Sequence, residues 1–307
     1  MLDFNHILAT PGFDVQYFGQ ATSSNDQFQT WLKPRGIKNV YMFGVGGGSS
    51  GVVGVNTATS NAGGAGGASG AQSAVFLPAM FVPDILYVQT GAGGQQPSVL
   101  VSGAVQVSGR LSLVSIQPNS AISAAELLLY APGGTTVAGA IATIAQMPLA
   151  ARGIYSLYAG QAGTAGGATQ TVGTALAFPV TGIMVMGGTG GGGSGAAPGV
   201  GGSITQPTNW FGSSYLLPTT TGGTAASGAT PAGAGKSGHI VPYFLMNYGG
   251  QGGGGASATS GGIAGAGGNG APGCGGGGSG GASSTAGITT LGRPGNGGNG
   301  FVLIISW

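Results

Sequence analysis

The sequence predicts an all-β fold, a glycine-rich β-sandwich-like domain carrying long ordered glycine stretches. Three observations predict it. Short apolar runs rich in Val, Ile, Tyr and Phe recur, and all but the last flow directly into glycines, the bounded pattern of strands. Glycine supplies 71 of 307 residues while 41% of the chain is hydrophobic, whereas disordered chains are poor in apolar residues. No stretch keeps apolar helical periodicity long enough for a regular helix of more than about three turns.

Residues 1–27 come first and have their own texture, with Asp3, Asp14 and Asp26 supplying three of the five acids. They are expected to form a separate N-terminal segment ahead of a glycine-rich β domain over residues 28–307. Strands are expected at Val40–Val45, entering GGGSSG, and at Ile85–Val88, entering QTGAGG. Two more are expected at Ile183–Met186 and Tyr243–Met246, each followed by glycines, and a last one at Phe301–Trp307. Their mostly continuous apolarity predicts burial on both faces. Residues 99–117 alternate apolar and small polar residues, which reads as half-buried strands with turns at Gly109 and Pro118. Ile122–Tyr130 has fair helix propensity, but Leu127–Tyr130 reads at least as well as a strand. The stretch from about residue 97 to 180 is expected to be an inserted β subdomain. Trp31 and Trp307, each bordering an apolar strand, are assigned to the core.

Two arrangements of the glycine runs are open. Glycine lets extended, polyproline-II-like segments approach closely enough to bond to one another, the logic of collagen, although the strict Gly-X-Y period is absent. Otherwise the runs are irregular loops held by their neighbours.

Charge narrows the function. Only 4% of residues are Asp, Glu, Lys or Arg, where about 25% is usual. A surface made instead of Ser, Thr, Asn, Gln and bare backbone suits a protein locked in an assembly or facing a hostile exterior. The formal charge of +2 is too small for an electrostatic footprint on nucleic acid. The N-terminus lacks the features of a secretory signal. No apolar run reaches the 18 or so residues of a membrane span; the nearest, Val137–Ala151, is broken by Gln146 and Pro148.

Catalytic chemistry is weakly signalled, and the chain is not expected to be an enzyme. Gly233-Ala-Gly-Lys-Ser237 suggests a phosphate-binding loop, but Thr230 stands where its first glycine belongs and Pro242 soon follows. His6, His239 and Cys274 are the only histidines and thiol, and no carboxylate follows Glu126 to orient a base. No ligand spacing for a metal appears, and no cofactor is expected. Aromatics are the better candidates, because Tyr and Trp give rigid contact area with a hydrogen-bonding handle. Trp210, Phe211 and Tyr215, flanked by Thr, Asn and Ser, form one set, and Tyr155 and Tyr158 a second. They either stack against a receptor or plug the core between glycine layers.

The order of motifs resembles the glycine-rich domains of bacteriophage tail fibres and related virion proteins. Those domains open on an aromatic, a Trp and Pro-Gly, here Phe28-Gln-Thr-Trp31-Leu-Lys-Pro34-Arg-Gly36, then a strand, Asn39–Phe43, and a glycine burst. A strand running into GAGG follows, matched by Ile85–Gly94, and an aromatic segment, Trp210–Leu217, precedes more glycine. They end on glycines, a hydrophobic strand and Trp, as in GRPGNGGNGFVLIISW. The material from about Pro97 to Val180 is longer than the family's spacing. The resemblance implies a virion protein, made in the host cytoplasm, attached through residues 1–27 to other virion proteins and assembled as a homo-oligomer. It implies binding to a host-surface glycan or outer-membrane protein. The rival roles are a capsid- or tail-associated structural protein without a receptor, and a non-viral glycine-rich matrix protein.

Overall fold

Large apolar residues alternating with half-exposed ones build two antiparallel sheets, and glycine runs continue their strands into a second kind of layer. The computed structural model describes residues 13–19, 27–56, 61–96, 100–118, 126–135, 154–177, 185–205, 219–227, 230–241, 246–256, 263–282 and 291–307. The strands are β1 (Asp14–Gly19), β2 (Gln29–Leu32), β3 (Asn39–Val45), β4 (Gln72–Pro78), β5 (Ile85–Gln89), β6 (Ser112–Ser115), β7 (Leu127–Ala131), β8 (Ile154–Tyr158), β9 (Leu176–Ala177), β10 (Ile204–Thr205), β11 (Ile240–Val241), β12 (Met246–Asn247) and β13 (Phe301–Ser306). Helical structure among the described residues is confined to the 3-10 turn Ala79–Phe81 and the 3-10 residue Glu126.

One of the two large sheets has the order β1-β13-β3-β4-β8 and the other β2-β5-β6-β7; two further two-stranded sheets pair β9 with β10 in parallel and β11 with β12 antiparallel. The large sheets face each other across a single core. Val40, Met42, Val75, Leu77, Val302 and Ile304 come from the first sheet; Trp31, Leu86, Val88, Val114, Leu128 and Leu129 come from the second. The expectation of burial on both faces needs correction. In β3, Val40 and Met42 are buried while Tyr41 and Phe43 are half-buried, and β5 likewise buries Leu86 and Val88 but not Ile85. In these two strands one face meets the shared core and residues alternate, whereas β13 buries Val302, Leu303 and Ile304 in succession and β6 is buried throughout, as the continuous apolarity predicts. The closing strand β13 lies between β1 and β3, so residues 14–19 belong to the sandwich. β6 and β7 complete the second sheet and β8 edges the first. Of the described part of residues 97–180, β6, β7 and β8 therefore belong to the same sandwich, while β9 pairs with β10 outside it.

Beyond Val45 the chain runs straight into residues 46–55, whose amides donate with a period of three. Gly46, Ser49, Val52 and Val55 donate to the carbonyls of Ala71, Ala68, Ala65 and Ala62. Gly47, Ser50 and Val53 donate to Arg110, Val107 and Ala104, and Gly48 and Gly51 to Gly298 and Gly295. A polyproline-II helix has about three residues per turn and no internal hydrogen bonds, so every third amide points at the same neighbour. Further neighbours donate back: Gly276, Ser279 and Ala282 to Ser49, Val52 and Val55; Gly94 to Gly48; Gly134 to Gly47. The segment is thus ringed on all sides by others of its kind.

Residues 274–282 lie at the centre of this lattice and are all buried. Gly275, Gly278 and Gly281 donate to Met186, Thr189 and Gly192. Gly276, Ser279 and Ala282 donate to residues 49, 52 and 55, and Gly277 and Gly280 to Gly268 and Gly265. Buried backbone groups are nearly always paired, and here the partners come from other glycine segments. The glycine runs are therefore a hydrogen-bonded layer and not irregular loops.

Close approach, not unusual dihedrals, is what requires glycine here. A Cβ on Gly275 would sit 1.9 Å from the Gly67 carbonyl oxygen, and one on Gly278 2.0 Å from that of Gly64. Among the described glycines only Gly36, Gly103, Gly195 and Gly273 have positive φ, and Gly195 at +158° is nearly extended. Gly273, at φ +74°, follows Pro272 in a tight turn closed by the Cys274 amide on the Ala271 carbonyl, the residue order of a type II turn. Hydroxyl side chains fill gaps in the bonding: Ser279 Oγ accepts from the Gly54 amide, and Thr189 Oγ1 from that of Gly252.

Residues 99–117 also need correction. Only Ser112–Ser115 is strand. Ala104, Val107 and Arg110 are acceptors at three-residue spacing, and Val105 is 79% exposed. The valine alternation that reads as a half-buried strand belongs to an outer lattice segment. Of the runs at 183–186 and 243–246, Val185 makes an isolated bridge to Asn247 and Met246 belongs to β12. Residues 183–184 and 243–245 lie outside the described residues.

Candidate functional site

The lattice has two ends, and the bond registers orient each segment between them. Segment 61–71 runs in toward the sandwich and becomes β4. Gly188, Gly191 and Ser194 donate to Gly67, Gly64 and Asn61, so segment 186–195 runs outward. Gly199 and Gly202 donate to Gly193 and Gly190, so the chain then returns. Traced this way, the described stretches at residues 56, 61, 95–96, 100–103, 168–173, 195–199, 226–227, 230–231, 256, 263, 282 and 291 lie at the far end. None contains an Asp, Glu, Lys, Arg, His or aromatic residue. They are tied by small polar groups. The Asn56 amide donates to Ser102 Oγ, and the Thr171 hydroxyl to the Ala168 carbonyl. Gln170, in the same turn, is the one described non-glycine residue with positive φ, +62°.

Trp210, Phe211 and Tyr215 lie outside the described residues. Ile204 and Thr220, described residues on either side of them, form an isolated antiparallel bridge. Tyr155 contributes backbone to β8, its side chain being outside the description, and Tyr158, at the end of that edge strand, is 46% exposed. The structure therefore does not bring the two sets together among the described residues.

Trp31 is fully buried in the sandwich core. Trp307 is only half-buried, a correction to its expected burial. Its position just beyond β13 puts it on the outer face of the sheet, stacked on Phe13 at 5.6 Å and tilted against Phe76 at 5.8 Å.

Of the groups that suggested catalysis, Cys274 is buried in the lattice, His239 and Lys236 are exposed, and His6 lies outside the described residues. Cys274 Sγ accepts from the Met186 amide and donates to the Asn247 carbonyl, and burial pushes its thiol far above the usual range. His239 stacks on Tyr248 with ring centroids 4.4 Å apart; burial lowers the imidazole and raises the Tyr248 phenol to about 12. Around Lys236, the Gly235 and Gly238 amides donate to the Ala266 and Asn269 carbonyls, so they do not form a phosphate cradle. Among the described residues no cluster of His, Cys, Asp or Glu stands ready to hold a metal ion, and no helix is long and apolar enough to cross a membrane. The thiolate is the reactive form of cysteine, so Cys274 is expected to resist thiol reagents in the folded protein and to react fully in denaturant. Rapid native labelling would show that the lattice opens there.

At the opposite end of the molecule, the base of the sandwich, sequence reading passed over an open cleft of about 640 Å³ lined by the turn after β2 and the turn after β4. Around it Leu32, Met80, Phe81 and Ile85 are exposed at 62%, 82%, 57% and 45%. The available signal was Met80-Phe81 held between Pro78 and Pro83, an apolar pair with no strand to bury it. Lys33 Nζ bonds Asp84 Oδ1 at 2.8 Å across the cleft wall.

No protein-family model matches the chain, and a search of curated proteins returns no match.

Proposed function

We propose that the protein is a structural component of a bacteriophage particle, of the tail-fibre or adhesin type, that works by binding rather than turnover. The observation that carries this reading is the polarity of the molecule. A buried lattice of backbone hydrogen bonds holds a set of uncharged stretches at one end, while the apolar cleft, with Lys33, Arg35 and Asp84 in its walls, lies at the other. The far end is the recognition surface, and its ligand is a host-surface glycan or outer-membrane protein. The base, with residues 1–27, is the attachment end, meeting other virion proteins in a homo-oligomeric assembly. Loops on a rigid scaffold commonly carry recognition. The motif order Trp31-x-x-Pro34-x-Gly36 to Trp307 agrees with the virion resemblance.

Immunogold labelling of particles with antibody against this chain tests the reading. Label at the fibre tip supports it, label on the head favours the decoration role, and particles without label overturn both. Because the far end carries no charge, adsorption through it should change little with salt, which screens charged contacts. Adsorption that collapses as ionic strength rises would place recognition elsewhere.

A further inference from the structure

We propose that the outer face of strands β1, β13, β3 and β4 is a platform that binds a neutral oligosaccharide by stacking sugar rings on its aromatic side chains. This site is independent of the virion reading and uses neither the far end nor the base cleft. An antiparallel sheet packed on one face commonly turns polar residues outward on the other. Here Phe18, Val40, Met42, Val75, Leu77, Val302 and Ile304 face the core, which leaves the alternate residues outside. The registers set those side by side. Val15, Ile305, Tyr41 and Phe76 form one row across four strands, and Tyr17, Leu303, Phe43 and Ala74 the next. Neither row contains a charged residue. Phe13 and Trp307 extend the face, their rings 5.6 Å apart and within 11° of parallel, with Phe76 tilted against Trp307.

One end of this face is closed. Phe43 and Phe301 pack against Val185, Ala271 and Cys274, so the glycine lattice covers them. The rest is open: Tyr17 is 55% and Phe13 38% exposed, and Val15, Tyr41, Phe76, Ile305 and Trp307 are half-buried. Charge and size select the occupant. Four strands about 4.8 Å apart, over about five residues rising about 3.4 Å each, make a floor of about 300 Å². A stable protein pair needs about 800 Å² from each partner, so the floor is too small for a second copy and large enough for a short oligosaccharide. An uncharged floor has no attraction for an ionic ligand. A pyranose ring presents a face of C–H groups edged by hydroxyls, and Tyr and Trp present a flat apolar body with a polar tip. Burial raises the Tyr17 and Tyr41 phenols above their ordinary value, so both keep the proton that a sugar hydroxyl can accept.

Calorimetric titration of the full-length chain with cellohexaose, an uncharged β-linked oligosaccharide, tests this. Saturable binding that changes little with salt is expected, because salt screens only charged contacts. Tyr17→Ala and Trp307→Ala should each weaken it about tenfold, the loss of one stacking ring. Trp307→Phe keeps a flat ring and should retain most of the affinity. Phe81→Ala in the base cleft and Gln170→Ala at the far end should leave it unchanged. Melting curves check that each variant is folded; Tyr17, exposed on the sheet's edge strand, keeps the test readable if Trp307→Ala is not. Absence of saturable binding overturns the proposal, as does a folded Tyr17→Ala that binds like the wild type. Affinity lost in Gln170→Ala but kept in Tyr17→Ala would put the sugar at the far end and overturn it too. So would a concentration-dependent dimer that Tyr17→Glu disperses, which would make a second copy the occupant.

Discussion

Alanine at Gly278 is expected to cost about 3–6 kcal/mol, combining overpacking with broken hydrogen bonds. The added Cβ would lie 2.0 Å from the Gly64 carbonyl oxygen and 2.5 Å from its carbon. That neighbour has no room to retreat, because Gly64 donates to Ser279 and accepts from Gly191. Moving it breaks bonds in two directions within a fully buried layer. Against a total stability of about 5–15 kcal/mol, thermal melting should fall sharply or soluble protein should vanish. Valine at the same site should be worse. Gly36→Ala is the control. Nothing lies within 4 Å of its added Cβ, and only the left-handed φ of +81° resists it, a cost of roughly 1–2 kcal/mol. Equal melting temperatures for the two variants would refute close packing of the glycine segments.

Trp31→Ala should cost about 3–5 kcal/mol, the range for emptying a large aromatic site in a core. The indole is fully buried in the cluster that joins the sheets, which also contains Val40, Met42 and Leu86. Its Nε1 has no hydrogen-bond partner, so Trp31→Phe removes an unsatisfied donor and leaves a smaller void. That variant should retain most of the stability. Denaturant titration of the three proteins gives the order wild type, Trp31→Phe, Trp31→Ala. An alanine variant as stable as the phenylalanine one would mean that the sandwich does not close on this residue.

The strands that are long and apolar, such as β3, β5 and β13, were legible in the sequence, the first two also by the glycines that follow them. A bonded glycine layer was one of two open arrangements, and its register was not readable. In collagen each chain meets its partners at one axis, so glycine is needed every third residue. Here a segment such as 274–282 faces neighbours in every direction, so nearly every position must be small and no period survives in the sequence. Larger residues appear where a segment lies at the rim, as Val105 and Val200 do, 79% and 42% exposed. Val105 and Val107 then mimic the two-residue alternation of a strand. The uncharged far end was hidden for a different reason. Its stretches are scattered from residue 56 to 291, and only the alternation of outward and returning segments gathers them. The base cleft unites the turn after β2 with residues 79–85, which strand pairing alone brings together.

Native-state amide hydrogen exchange across residues 274–282 tests the central claim most directly. Amides bonded inside a cooperative core open only with global unfolding, whereas those of solvated loops exchange at near-zero free-energy cost. The account predicts that the amides of Gly275 to Ala282 are protected as strongly as those of β3 and β13, despite the near-absence of side chains. Exchange of Gly275–Gly281 at the rate of an unstructured peptide, with β3 still protected, would contradict it.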